Sequence, residues 1–290
     1  MKTNIYSRLI AGTMTWGTWG KQLKKTEMIA LMQYYLEHGI NTFDHADIYG
    51  GYTTEEDFGS AFAESGLKRE QIQLISKCGI QEISENRDNT VKHYDYSKDH
   101  VIWSAEKSLK HLKTDYLDVF LLHRPSPLMQ PAEIAEAITH LKAQGKIKAF
   151  GVSNFTPSQT ELLAQNTDID TNQIECSLSQ HSAMHDGSLD HMMVNKIQPM
   201  AWSPLGTVFK EDNAQSKRIH EQLEVLQEKY SATKDQLLLA WILKHPAKIN
   251  PVIGTTNKKR IENAVNALDI NLELEDWFKL LVASQGHKVP

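Results

Sequence analysis

Four residues able to handle a proton sit just past three short apolar runs. Gly39-Ile40-Asn41-Thr42-Phe43 leads into Asp44, with Tyr49 five residues on; Ile72-Gln73-Leu74-Ile75-Ser76 leads into Lys77; Leu117-Asp118-Val119-Phe120-Leu121-Leu122 leads into His123. An unperturbed phenol titrates at about 10, too high for an efficient acid at neutral pH. A nearby ammonium lowers that value by stabilising the phenolate, and a carboxylate holds the ammonium in place. Asp44, Lys77 and Tyr49 can form that chain, with Tyr49 as proton donor and His123 orienting a carbonyl oxygen or sharing the proton. Such a set would protonate a carbonyl oxygen while a hydride reaches the carbon. Taken singly, each has an ordinary reading: a cap or surface group for Asp44 and Tyr49, a snorkelling lysine, a satisfied core histidine. Their shared position at strand ends argues for one catalytic site.

For these groups to meet, the strand ends must converge on one face, as they do in a parallel α/β barrel. Strand candidates fall at residues 9–12, 41–43, 72–76, 117–122, 148–152, 173–175, 198–202 and 251–253, with helical patterns between them. Ile29, Met32, Tyr35 and Leu36 make a helical stripe within 26–38, closed by Gly39; Ile219, Leu223, Leu226 and Tyr230 make another. Thr156-Pro157-Ser158-Gln159 carries a capping threonine, a first-turn proline and a glutamine, which marks a helix start. The expected fold is α/β: a single (β/α)8 TIM barrel over residues 1–290, with cofactor and active site at the C-terminal ends of the strands. No proline- or glycine-rich linker and no internal repeat divides it. Residues 81–99 read as a long loop over the active face, from which Tyr94 and Tyr96 can close on the site.

Bulk properties narrow the classes further. A formal charge of −5 without a long Lys/Arg block gives nucleic-acid binding no support. The start, Met1 to Arg8, lacks a signal peptide's apolar core, and nothing approaches the roughly 20 apolar residues of a membrane span. The two cysteines, Cys78 and Cys176, make no disulfide framework, so a cytoplasmic setting is expected. His181 and His185 have helical ligand spacing, but no His-Glu-x-x-His is present and Asp44 with Asp47 fails the EF-hand pattern; no metal is expected.

The segment Gly39 to Gly50 (GINTFDHADIYG) resembles the signature of the aldo-keto reductases, as do Leu74-Ile75-Ser76-Lys77, Tyr116 to His123 (YLDVFLLH) and Gly145 to Phe155 (GKIKAFGVSNF). The matches come in family order across nearly the whole chain, which most resembles bacterial members known only as oxidoreductases. The resemblance implies an α/β barrel, a reduced nicotinamide cofactor, and a catalytic tetrad that falls on Asp44, Tyr49, Lys77 and His123.

No Gly-x-Gly-x-x-Gly follows a strand and opens a helix, so the dinucleotide is not held in a Rossmann site. By resemblance, Ser153, Asn154 and Gln173 hold the carboxamide, Trp202 stacks on the nicotinamide, and Ser203, Leu205 and Gly206 line the pyrophosphate; Gly12, Thr13 and Met14 sit beside the ring. After the last strand, Thr255, Thr256 and Arg260 enter a helix whose N-terminus favours phosphate, and Arg260 can grip a 2′-phosphate. NADPH is therefore favoured over NADH, although position 254 carries glycine where the commonest family pattern has lysine. Trp16, Trp19 and Tyr52 can form an apolar wall for an aldehyde or ketone, or equally serve packing. The expected activity is NADPH-dependent reduction of a small carbonyl substrate, with no obligate protein partner. Two alternatives stand beside it: a nicotinamide-binding, redox-sensing or partner-binding subunit of low turnover, and a lyase using Lys77 as a Schiff base.

Overall fold

The computed structural model describes residues 6–290; the part of the leader reading that concerns residues 1–5 lies outside the described residues. The elements run β1 (Ile10–Gly12), α1 (Lys25–Glu37), β2 (Thr42–Asp44), α2 (Tyr49–Tyr52), α3 (Thr54–Glu64), β3 (Gln73–Cys78), β4 (Ile80–Gln81), β5 (His93–Tyr94), α4 (Lys98–Leu112), β6 (Leu117–Leu122), α5 (Pro131–Ala143), β7 (Ile147–Ser153), α6 (Pro157–Ala164), β8 (Thr171–Glu175), α7 (Ser188–Asn195), β9 (Gln198–Trp202), α8 (Ala214–Tyr230), α9 (Lys234–Leu243), β10 (Asn250–Ile253), α10 (Lys258–Asn266) and α11 (Leu274–Gln285). Eight strands close into a parallel barrel in the order β1-β10-β9-β8-β7-β6-β3-β2. Each of the eight strand candidates falls on one of these. Among the described residues no helix is long and apolar enough to cross a membrane.

Local signals act as their chemistry requires. The Thr156 hydroxyl accepts from the Gln159 N–H while the Gln159 side chain accepts from the Thr156 N–H, so α6 starts in a closed capping box behind Pro157. Helix α1 buries Met28, Leu31, Met32 and Tyr35, and Gly39 follows it at φ +73°. The buried stripe is thus turned from the expected one: Met32 and Tyr35 stay in it, while Ile29 and Leu36 sit at its margin.

Strand alternation decides which residues can reach the site. Ile10, Ile75, Val119, Leu121, Ala149, Met200 and Val252 fill the barrel interior together with Tyr6. The residues between them, among them Ala11, Phe43, Leu74, Phe120, Phe150 and Ala201, pack outward with the helices in the larger core. Carrying the inner register forward along each strand arrives at Gly12, Asp44, Lys77, His123, Ser153, Gln173 and Trp202. Thr13 falls on the outer register.

Three expectations are corrected here. Residues 81–99 are not simply loop: β4 and β5 pair antiparallel, Ile80 with Tyr94 and Gln81 with His93. Tyr96 is buried and cannot act as a lid; its ring lies against Gly79, φ +103°, where a Cβ would come within 1.9 Å of it. Trp16 does not wall a substrate site. It is fully buried, 6.1 Å from Tyr35 in a stacked arrangement, 6.1 Å from Phe43 edge-on and 5.9 Å from Phe58. With its ring at the centre of an aromatic cluster, Trp16→Ala should destabilise the fold by about 3–5 kcal/mol. Equilibrium urea unfolding will show this as a lowered midpoint; a change under 1 kcal/mol, on the order of a surface substitution, would remove Trp16 from the core.

Candidate active site

Lys77 is fully buried, and its ammonium is surrounded by acceptors. It lies 2.7 Å from Asp44 Oδ1 and 2.8 Å from Oδ2, donates to the His45 carbonyl at 2.8 Å, and donates to the Tyr49 hydroxyl at 3.1 Å. A charge taken out of water is tolerable only in such company. Asp44 is steadied in turn by the Gln173 amide, whose Nε2 donates to Oδ1 at 3.0 Å. Thr13 holds the end of β2 from outside the barrel: its hydroxyl donates to the Asp44 carbonyl and bonds the His45 Nδ1, both at 2.9 Å. The His123 ring stands edge-on to Tyr49 at 6.0 Å. All four expected tetrad residues therefore meet.

Burial and charge compete at each of them. Burial alone would depress the Lys77 ammonium, but Asp44 and Tyr49 outweigh it and hold its pKa above the usual lysine value. Burial pushes the Tyr49 phenol above its ordinary value, and Lys77 opposes that rise without cancelling it. The expectation that Lys77 pulls Tyr49 down is right in sign, but burial is the larger effect. Burial, with Lys77 and Arg124, keeps the His123 imidazole well below its ordinary value, so the ring is neutral near pH 7.

The tetrad opens on a cavity of about 1400 Å³. Its wall runs from Asp44, Tyr49 and His123 past Ser153, Asn154, Gln173 and Trp202 to Ser203, Leu205 and Gly206, then to Thr255, Thr256 and Arg260 at the start of α10. Gly12, Met14 and Trp19 also line it; Thr13, Trp16 and Tyr52 do not. Thr13 is a brace on β2, not a neighbour of the cavity. Tyr52 is buried: its hydroxyl accepts from the Glu82 N–H at 2.8 Å and its ring carries the Arg87 guanidinium at 4.3 Å. Trp19 is the one expected wall aromatic that faces the space, 6.2 Å from the Tyr49 ring.

Among the residues expected at the nicotinamide, a relay is already built. Trp202 Nε1 donates to Asn154 Oδ1, Asn154 Nδ2 to Ser153 Oγ, and Ser153 Oγ to the Gln173 carbonyl, each at 2.9 Å. Asn154 and Ser203 adopt left-handed φ of +58° and +49°. Gly206 is at φ +56°, and a Cβ there would come within 1.9 Å of Ser179 Oγ, so the close approach that requires glycine is to Ser179. At α10, the Asn257 side chain accepts from the Arg260 N–H and caps the helix, while the Arg260 side chain stands exposed. Sequence reasoning missed Arg124 and Asn257, although Arg124 directly follows His123 and Asn257 opens the basic segment. No group of three or more His, Cys, Asp or Glu among the described residues is arranged to hold a metal.

Comparison with known proteins converges on one family. The model of the aldo/keto reductase family matches residues 8–281. An uncharacterized oxidoreductase of Bacillus subtilis (strain 168), YcsN, is 43% identical over 98% of this chain and 96% of its own. A 6-dehydroglucose reductase of Agrobacterium fabrum is 38% identical over 90% of this chain and 88% of its own. The crystal structure of an aldo/keto reductase from Klebsiella pneumoniae, in complex with NADP and acetate, aligns with a TM-score of 0.78 at 26% identity, covering 94% of this chain and 89% of that one. With its closed barrel and most of its length matched, this chain belongs to the aldo/keto reductase family and is an oxidoreductase.

Proposed function

We propose that the protein reduces a small aldehyde or ketone at the expense of NADPH, with Tyr49 as proton donor. The observation that carries this reading is the bond between Lys77 and Tyr49. An ammonium has only donors, so the Tyr49 oxygen must accept in that 3.1 Å contact. Its own hydrogen is thereby left for a group in the cavity. Lys77 also stabilises the phenolate that remains once the proton has gone. Asp44 fixes the ammonium, and His123, neutral and beside Tyr49, aligns the carbonyl oxygen. A reduced nicotinamide, when bound, supplies the hydride for the carbonyl carbon.

The cavity suits such a cofactor. Its volume of about 1400 Å³ exceeds the roughly 300–1,000 Å³ of ordinary small-ligand pockets. It is continuous from the tetrad to the capped N-terminus of α10, where backbone N–H groups and the Arg260 guanidinium suit a phosphate. The NADP in the Klebsiella pneumoniae neighbour and the reductase activity of the Agrobacterium fabrum relative support the same reading. A Schiff-base role for Lys77 is disfavoured, because its nitrogen is protonated and committed to Asp44, His45 and Tyr49. Cys78 and Cys176 are both buried free thiols, which suits a reducing compartment.

Tyr49→Phe keeps the ring and removes the proton. Single-turnover reduction should slow by about 10²–10⁴-fold with the NADPH dissociation constant nearly unchanged, as followed by tryptophan fluorescence; comparable losses in both would refute the division of roles. Arg260→Ala should weaken NADPH about tenfold or more and leave NADH almost untouched. Equal weakening of the two cofactors would take Arg260 away from the 2′-phosphate.

A further inference from the structure

Arg124 directly follows His123, is half-buried and lines the same cavity as Tyr49. Its guanidinium lies 5.4 Å from the centroid of the Trp202 ring, so the side chain reaches from the end of β6 toward the end of β9 across the mouth of the site. Its backbone is clamped at two points: the Tyr96 hydroxyl donates to the Arg124 carbonyl and accepts from the Arg124 N–H at 3.1 Å. Tyr96 is buried and seated against Gly79, so the root of the arginine is fixed to the core.

Of the other charged residues around the cavity, the carboxylates and the half-buried Lys234 have partners; Asp235 accepts from the Thr233 hydroxyl and the Asn263 amide. Asp44 is neutralised by Lys77, Lys92 pairs with Glu82 at 2.6 Å, and Lys234 pairs with Glu224 at 2.9 Å. Lys21, Lys210 and Arg260 are solvent-exposed. Among the described residues, Arg124 is the half-buried cation of the cavity with no carboxylate against it. The Trp202 ring is its aromatic neighbour, and the planar fork of guanidinium N–H donors matches a carboxylate or phosphate in bidentate geometry. A neutral substrate would leave the partly desolvated charge with only the Trp202 ring to compensate it. The positive charge of Arg124 also acts on both Tyr49 and His123.

Resting on the reductase reading, we propose that the substrates are carbonyl compounds bearing an oxyanion, which Arg124 receives while the carbonyl lies against Tyr49 and His123. The test compares kcat/KM, with NADPH, for two matched pairs: 4-oxobutanoate against butanal, and glyceraldehyde 3-phosphate against glyceraldehyde. In the wild type the charged member of at least one pair should be preferred about tenfold or more. The pair that shows it distinguishes a carboxylate from a phosphate. Arg124→Ala should bring the preference close to one, chiefly through KM, and Arg124→Lys should recover part of it. Calorimetric titration of the cofactor-free protein with succinate and with inorganic phosphate gives a readout independent of turnover, and the anion that binds should be lost in Arg124→Ala. No preference in the wild type, a preference intact in Arg124→Ala, or a loss that appears instead in NADPH affinity would each overturn the assignment. Arg124-dependent anion binding with none of the four aldehydes reduced would instead overturn the reductase reading and leave the anion site standing.

Discussion

A lysine ammonium with no solvent exposure, inside a parallel barrel, is the constraint around which this molecule is organised. Removing such a charge from water costs several kcal/mol even after relaxation, and it is tolerable only where attraction and hydrogen bonds replace the lost hydration. Three donations from Lys77 meet that condition, to Asp44, the His45 carbonyl and Tyr49. Each acceptor depends on a different part of the fold. Asp44 needs β2 in register with β3, and a slip of one residue would turn it to the helices and bring Phe43 inward. Thr13 bonds β1 to the end of β2, and Gln173 reaches across from β8. Tyr49 opens the short helix after β2. The catalytic grouping and the satisfaction of the buried charge are therefore the same set of bonds.

The same burial sets the reactivity of the site. Tyr49 and His123 are both held in their uncharged forms, the phenol against loss of a proton and the imidazole against gain of one. A proton donor must keep its proton until the acceptor arrives, and desolvation does this at Tyr49. The ammonium beside it supplies the counter-charge for the phenolate that forms afterwards. Burial and Lys77 thus act at different stages: one protects the ground state and the other stabilises the product of proton transfer.

Most of the architecture was legible in the residues because alternation along a buried strand is a strict period. The eight strand candidates fall on the eight barrel strands, and the chemistry at the ends of three of them located the tetrad. What was not legible lay where that period stops. Trp16, four residues past β1, has no strand register to say which way it points, and it turns into the aromatic core. Tyr52, at φ +75°, leaves any helical pattern and goes under the 81–99 segment. Tyr96 read as part of a long loop, yet it is fixed by the space beside a glycine seventeen positions earlier. Thr13 was misplaced for the opposite reason: its parity from Ala11 already assigned it to the outer face. The charge balance of the cavity, which singles out Arg124, depends on pairs such as Lys92 with Glu82, brought together around the β4–β5 hairpin, that sequence spacing does not reveal.

The most direct test of the central claim, that the buried ammonium governs the proton on Tyr49, is the pH dependence of the reverse, alcohol-oxidising half-reaction. There Tyr49 acts as base, and the single-turnover rate with NADP+ rises with pH as the phenolate forms. The comparison is between the wild type and the Asp44→Asn/Lys77→Met double variant, which leaves no orphaned charge. Loss of the ammonium should move the rising limb to higher pH, since the phenolate loses its nearest counter-charge. A limb at the same pH in both proteins would contradict the account and show that Lys77 serves the fold without acting on the proton.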